Sequence, residues 1–277
     1  RLRDGGVQRI DERNRAFDPL HYVLLFPSGE DGWHFEMNQA TGQRKLTTRE
    51  LYAYHLHERS STLQRDSLFR GCRLFQEYLC MSYAKVESQR LAFLRHNQDK
   101  LRADMYQNIA DHLSAADADP AQLGTRVVLP ASFVGSDRYM SSRYQDAMAI
   151  VREYGKPDLF VTFTCNPQWK EIVDELLPGQ QAEDRPDIAA RVFKMKLDKL
   201  IEDIDQRKIF GKVAARIHVV EFQKRGLPHV HILLILEEKI VTVDQVEGFV
   251  RAEIPQGDEE LRGIIMKQMY HRCKKGF

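Results

Sequence analysis

The spacing of apolar positions changes character along this chain. Between residues 46 and 58, and again between about 66 and 113, apolar side chains recur every three or four positions. Leu68, Leu74, Phe75, Tyr78 and Leu79 share one such stripe, and Leu91, Leu94 and Leu101 continue it. That period sets them on one side of a helix. The first 45 or so residues mix glycine, proline and aromatics ("FDPLHYVLLFPSGEDGWHF") and predict an ordered but irregular lead-in. "SAADADPAQLGT", residues 114–125, is small, polar and Pro/Gly-containing, which predicts a linker between a helical region, 1–113, and a second region, 126–277.

In the second region the period alternates between two and three to four. "TRVVLPASF" reads as extended. "SDRYMSSRYQDAMAIVREYG" reads as a helix, with Ser136 as its cap and Gly155 just past its end. "PDLFVTFTCNP" is β-rich and is ended by Asn-Pro. "DRPDIAARVFKMKLDKLIEDIDQRK" is the clearest helix: Pro186 sits in its first turn, and Phe193, Leu197, Leu200, Ile201 and Ile204 line one face. "KVAARIHVVEFQ" and "HVHILLIL", joined by "KRGLP", predict a β-hairpin. Two amphipathic helices are expected within 242–270. The order β-α-β-β-α around an antiparallel pair predicts an α+β fold with helices over one face of the sheet.

Composition narrows this picture without changing it. In 277 residues, 43% hydrophobic and 29% charged is globular usage. No apolar run approaches the ~18 residues of a membrane span, and the polar opening "RLRDGGVQRIDERNR" lacks a signal-peptide core. That opening has no initiator methionine, so a piece of a longer protein is expected. The four cysteines have no CxxC spacing, which argues for a reducing, intracellular setting rather than a disulfide framework or zinc finger. A net charge of +1 says nothing about partners, but basic residues gather in 85–102, 223–225 and 272–275, which allows a polyanion on one face.

The candidate chemistry begins at "EFQKRGLPHVHILLIL". Residues two apart on a strand share a face, so His229 and His231 project together while Val230 and the apolar run turn to the core. Adjacent neutral imidazoles suit a shared divalent cation. A hairpin about Arg225–Leu227 brings Glu221 alongside as a carboxylate ligand, and Gln223 has the same parity as runner-up. In the plainer alternative one histidine is a satisfied core group and the other is exposed. His218 falls on the face opposite Glu221 and reads as structural. Thr162, Thr164 and Asn166 form a polar stripe suited to nucleic acid, or simply a half-exposed strand rich in threonine. Arg138, Tyr139, Arg143 and Tyr144 interleave cations and aromatic faces as single-stranded nucleic acid requires, or mark a solvated helix surface. Lys224 and Arg225 add cations at the hairpin turn. Trp33 and Trp169 are assigned to packing.

"GKPDLFVTFTCNPQWKEI", "EDRPDIAARVFKMKL" and "EFQKRGLPHVHILLIL", with "LYAYHLHER", "QRLAFLRHNQDKLRADMYQ" and "LPASFVGSDRYMSSRYQDAMAIV", resemble the N-terminal Helitron-like domain of Helitron rolling-circle transposases. These large proteins join a Rep-type HUH endonuclease to a helicase. The resemblance implies an antiparallel HUH/Rep-type sheet of ferredoxin- or RRM-like arrangement, and it implies Mg2+ or Mn2+ held by His229 and His231 with Glu221 or Gln223. It also implies single-stranded DNA at transposon ends and target as partner, a C-terminal helicase domain in the parent protein, and a nuclear location. HUH chemistry needs a tyrosine nucleophile. Helitrons carry two, four residues apart on one helix, and none of the chain's ten tyrosines are so spaced. Tyr270 is the one candidate here, and the tyrosine helix is otherwise expected beyond the chain. His271 and Cys273 are read as the possible start of a metal knuckle. No GxxxxGK[ST] loop is present, so helicase activity would belong to a neighbouring domain. Two alternatives stand beside this one: a non-catalytic single-stranded DNA-binding or interaction module derived from a transposon, and an unrelated metallohydrolase. The second is disfavoured because too few residues follow His231 for a barrel of about 250 residues.

Overall fold

The computed structural model describes residues 10–42, 44–57, 67–98, 127, 129–223 and 226–270. In chain order the helices and strands are α1 (Phe17–His21), α2 (Thr48–His55), α3 (Arg73–His96), α4 (Asp137–Tyr154), β1 (Leu159–Thr164), α5 (Lys170–Val173), α6 (Pro186–Asp205), β2 (Val213–Phe222), β3 (Pro228–Leu236), α7 (Val243–Phe249) and α8 (Glu259–Gln268). A mixed helix-and-strand fold with an antiparallel sheet agrees with the α+β expectation.

The helix ends are where local chemistry puts them. Ser136 accepts from the Tyr139 amide at 3.1 Å and starts α4, while Gly155, at φ 87°, ends it. Pro186 opens α6. Thr47 and Glu50 close a reciprocal capping box on α2. The expected extended run "TRVVLPASF" gives way to turns at its end. The Phe133 amide donates to Pro130 O at 2.9 Å and the Ser136 amide to Phe133 O at 3.1 Å, so the chain turns twice on its way into the α4 cap. The proline and the cap dominate the short β-branched run. The expected linker, 114–125, lies outside the described residues.

The sheet has order β1-β3-β2, with β3 antiparallel to both neighbours. β1 and β2 therefore run parallel and are linked through α6, with β3 inserted between them: a split β-α-β unit. Its centre is the strand that bears the histidine pair. On one face Val230, Ile232, Leu234 and Leu236 pack with Ile188, Val192, Phe193 and Leu197 of α6 into the main core. Phe163 joins them, stacked on Phe193 at 5.4 Å and on Trp169 at 5.6 Å. Trp169 is thus a packing residue, and so is Trp33, whose indole donates to Leu46 O at 2.8 Å.

A second core gathers Tyr22, Leu25, Phe26, Tyr52, Leu68, Phe69, Phe75 and Tyr78. Beside it Lys85 is buried in an ion pair with Asp18, and its ammonium also donates to Tyr52 Oη at 3.0 Å. Arg185, 2% exposed, ties the two cores together. It is held by Asp187 through two bonds of 3.0 Å and lies over the Phe69 ring at 4.5 Å. Gln180 adds a bond of 2.7 Å to Phe69 O. The expected helices within 242–270 form as α7 and α8, and neither buries a residue.

Candidate functional site

The strand pleat sends His229, His231, Leu233 and Ile235 to the face away from α6. The register then fixes their neighbours. Thr164, His229 and Glu221 lie in one row across the three strands; Thr162, His231 and Val219 form the next; Phe160, Leu233 and Ile217 form the third. At the far end Ile235 is fully buried, whereas Phe160 is 63% exposed. The face is polar at the hairpin end and apolar beyond it.

The two imidazoles meet edge to face, with centroids 4.5 Å apart and planes at 76°. His229 is 9% exposed and shares a bond of 2.6 Å between its Nδ1 and Thr164 Oγ1. His231 makes the same contact with Thr162 at a longer 3.4 Å and stacks on Phe160 at 5.2 Å, nearly parallel. Its Nε2 lies 3.8 Å from Glu221 Oε2. That separation is too long for a hydrogen bond. It is short enough for a shared ion, because two donors each about 2.1 Å from one cation can stand at most about 4.2 Å apart. Two imidazoles and a carboxylate are a donor set that a divalent transition metal accepts. Among the described residues, no three His, Cys, Asp or Glu side chains stand together as a preformed metal cluster. Glu221, 60% exposed, leans toward His231 although its Cα faces His229, so the third ligand is the least fixed of the set.

The other sequence-derived candidates divide. Gln223 lies just past β2, where its amide donates to Leu227 O at 3.0 Å and its carbonyl accepts from Gly226 at 2.8 Å, closing the hairpin. Asn166 spends its side-chain oxygen on the Gln168 amide at 2.9 Å, turning the chain out of β1. On α4, which packs against β2, Arg143 lies over the Tyr139 ring at 5.5 Å and pairs with Asp146 at 3.4 Å, while Tyr144 is exposed and Arg138 half-buried. Tyr270 follows α8 and is half exposed, its amide bonded to Ile265 O. Lys224, Arg225, His271 and Cys273 lie outside the described residues. His218 sits on the α6 face beside Arg216, which also reaches Asp205 at 3.0 Å. Burial, then the neighbouring Arg216 charge, lowers its affinity for a proton.

Sequence reasoning missed two things: Phe160 as a neighbour of His231, and the engagement of both threonine hydroxyls by imidazole. Parity grouped Thr162 with Thr164. Only the register shows that each stands opposite a histidine.

Among known proteins, no curated protein matches the chain. A family model does, the Helitron helicase-like domain at the N-terminus, over residues 51–234. The match runs from within α2 to within β3 and takes in the whole Thr164–His229–Glu221 row. It spans more than half of the sequence, and the chain accordingly belongs to the Helitron helicase-like N-terminal domain family, a transposase-related group.

Proposed function

We propose that this chain is the metal-dependent, single-stranded DNA nicking and strand-transfer core of a Helitron transposase, an HUH-type endonuclease. The observation that carries the reading is the imidazole pair on the central strand, flanked by threonine hydroxyls from β1 and a carboxylate from β2. His229, His231 and Glu221 would hold a Mg2+ or Mn2+ ion, with Gln223 as alternate ligand. When bound, such an ion supplies positive charge to the non-bridging oxygens of a scissile phosphate.

The chain's own residues supply the rest. The sheet delivers both imidazoles as a rigid pair. Thr162, Thr164 and Asn166 edge the floor on which a strand would lie. Arg138, Tyr139, Arg143 and Tyr144, with Lys224 and Arg225, would meet phosphates and base faces. In the reaction class proposed, a tyrosine oxygen attacks phosphorus, the P–O3′ bond breaks, and the phenolic proton ends on the departing 3′ oxygen. The product is a 5′-phosphotyrosine. Tyr270 is this chain's candidate for that hydroxyl. A helicase domain in the parent protein and a nuclear location follow from family membership as proposals. Among the described residues no helix is long and apolar enough to cross a membrane.

A titration tests the reading: Mn2+ should occupy one site that His229→Ala and His231→Ala each abolish. A double variant that binds Mn2+ as the parent does would falsify it. The exposed Glu221, which leans toward His231 at 3.8 Å while its strand position faces His229, suits a second reading, a non-catalytic single-stranded DNA-binding module. Its signature is oligonucleotide affinity indifferent to Mn2+ but falling steeply with salt. Labelled oligonucleotide with Mn2+ separates the two: nicking chemistry leaves a covalent adduct, lost in Tyr270→Phe if that hydroxyl is the nucleophile.

A further inference from the structure

We infer that Thr164 is a positioning residue that fixes the tautomer of His229, with Nδ1–H donating to Thr164 Oγ1 and the ring's lone pair left on Nε2. The purpose of this arrangement rests on the metal reading above, but its detection does not. Heavy-atom positions at 2.6 Å admit two hydrogen placements. If the hydroxyl donated to Nδ1, the proton of a neutral ring would sit on Nε2, and that nitrogen could not bind a cation. If Nδ1 donates, Nε2 is a ligand, and a neighbour's oxygen holds the ring in place as metal-binding histidines generally require.

Three observations assign the role to Thr164. First, Thr164 is directly opposite His229 in the β1–β3 register, so strand pairing delivers its hydroxyl. The ladder closes beside it, with the Cys165 amide donating to Pro228 O at 3.0 Å. Second, threonine is stiff at χ1, so the oxygen is placed before any ligand arrives. Third, the same Thr-to-Nδ1 contact recurs one row along between Thr162 and His231, longer at 3.4 Å, where the stacked Phe160 ring provides a second hold. β1 thus presents a ledge of orienting groups to the histidine strand. Were threonine present only for strand propensity, valine would serve equally well.

That comparison is the experiment. Long-range 1H–15N spectra of the metal-free full chain should show His229 protonated at Nδ1 in the parent and in Thr164→Ser, and the Nε2-protonated form populated in Thr164→Val. Mn2+ affinity should fall about 10- to 100-fold in Thr164→Val and recover in Thr164→Ser. A parent protonated at Nε2, or a Thr164→Val protein that keeps both signature and affinity, overturns the inference. His229→Ala in the same titration separates the two proposals. If it binds Mn2+ like the parent, the metal reading fails, while the imidazole spectra still decide what Thr164 does. Matching thermal melts of Thr164→Val and Thr164→Ser show that the contrast is not lost folding.

Discussion

Thr164 and Cys165 are neighbours that the chain sends to opposite sides of the sheet. The hydroxyl goes to His229, whereas the thiol enters the main core, where burial pushes its pKa up to about 11. At pH 8 only roughly one Cys165 in a thousand would be thiolate. Cys80, on the exposed side of α3, has no such shelter. In the native protein a thiol reagent should therefore modify Cys80 within minutes and leave Cys165 intact until denaturant is added, as peptide mass mapping would show. Rapid native labelling of Cys165 would mean that the β1 end of the sheet opens readily, and with it the row that holds His229. At this scale the sequence was legible in the histidine pair, in its parity with Glu221, and in the structural placement of His218. It could not disclose Phe160 or the threonine–imidazole bonds, because a contact 65 or more residues apart depends on pairing that no local pattern encodes.

At the scale of elements, the caps and the strand alternation could be read directly. Ser136, Gly155 and Pro186 act through backbone groups within a turn of themselves. The turns that end the expected extended run near Pro130 show the limit of a short apolar run without a partner. Asp158, which precedes β1, anchors the end of β3 beside it. Its carboxylate accepts from the Leu236 amide at 2.8 Å, the Lys239 ammonium at 3.0 Å and the Ile240 amide at 3.2 Å. Burial raises its pKa, but the Leu236 amide, Lys239 and Ile240 together outweigh this and hold it below the usual carboxylate range. A depressed carboxylate stabilises the fold at pH values above the ordinary ~3.9, and that stability is lost as pH falls through the folded value. Asp158→Asn should therefore cost about 1.5–3 kcal/mol at pH 7. The gap between variant and parent melting temperatures should narrow once the pH drops below about 4. A gap constant from pH 7 to pH 3 would show that the charge is irrelevant and that shape alone matters.

Across the whole molecule, a buried cation bridges the two cores. Arg185 offers Asp187 a planar, two-pronged partner and lays its flat face on Phe69, so the same group satisfies the sheet side and caps the helical side. A lysine keeps the charge but loses the planar, two-pronged contact with Asp187 and the flat guanidinium face. Removing the guanidinium leaves Asp187 buried and unpaired, a loss that typically costs about 3–5 kcal/mol. Arg185→Ala should therefore destabilise the protein strongly, and Arg185→Lys should recover only part of the loss. Hydrogen exchange locates the effect: in both variants α2 and α3 should lose protection before β1, β2 and β3 do. The histidine row lies on the face of the sheet away from α6, whose first turn follows Arg185, so Mn2+ affinity measured below the melting transition should stay within a few-fold of the parent. If protection fell equally in sheet and helices, the two cores would be a single cooperative unit, and Arg185 would be one packing group among many rather than the clasp between them.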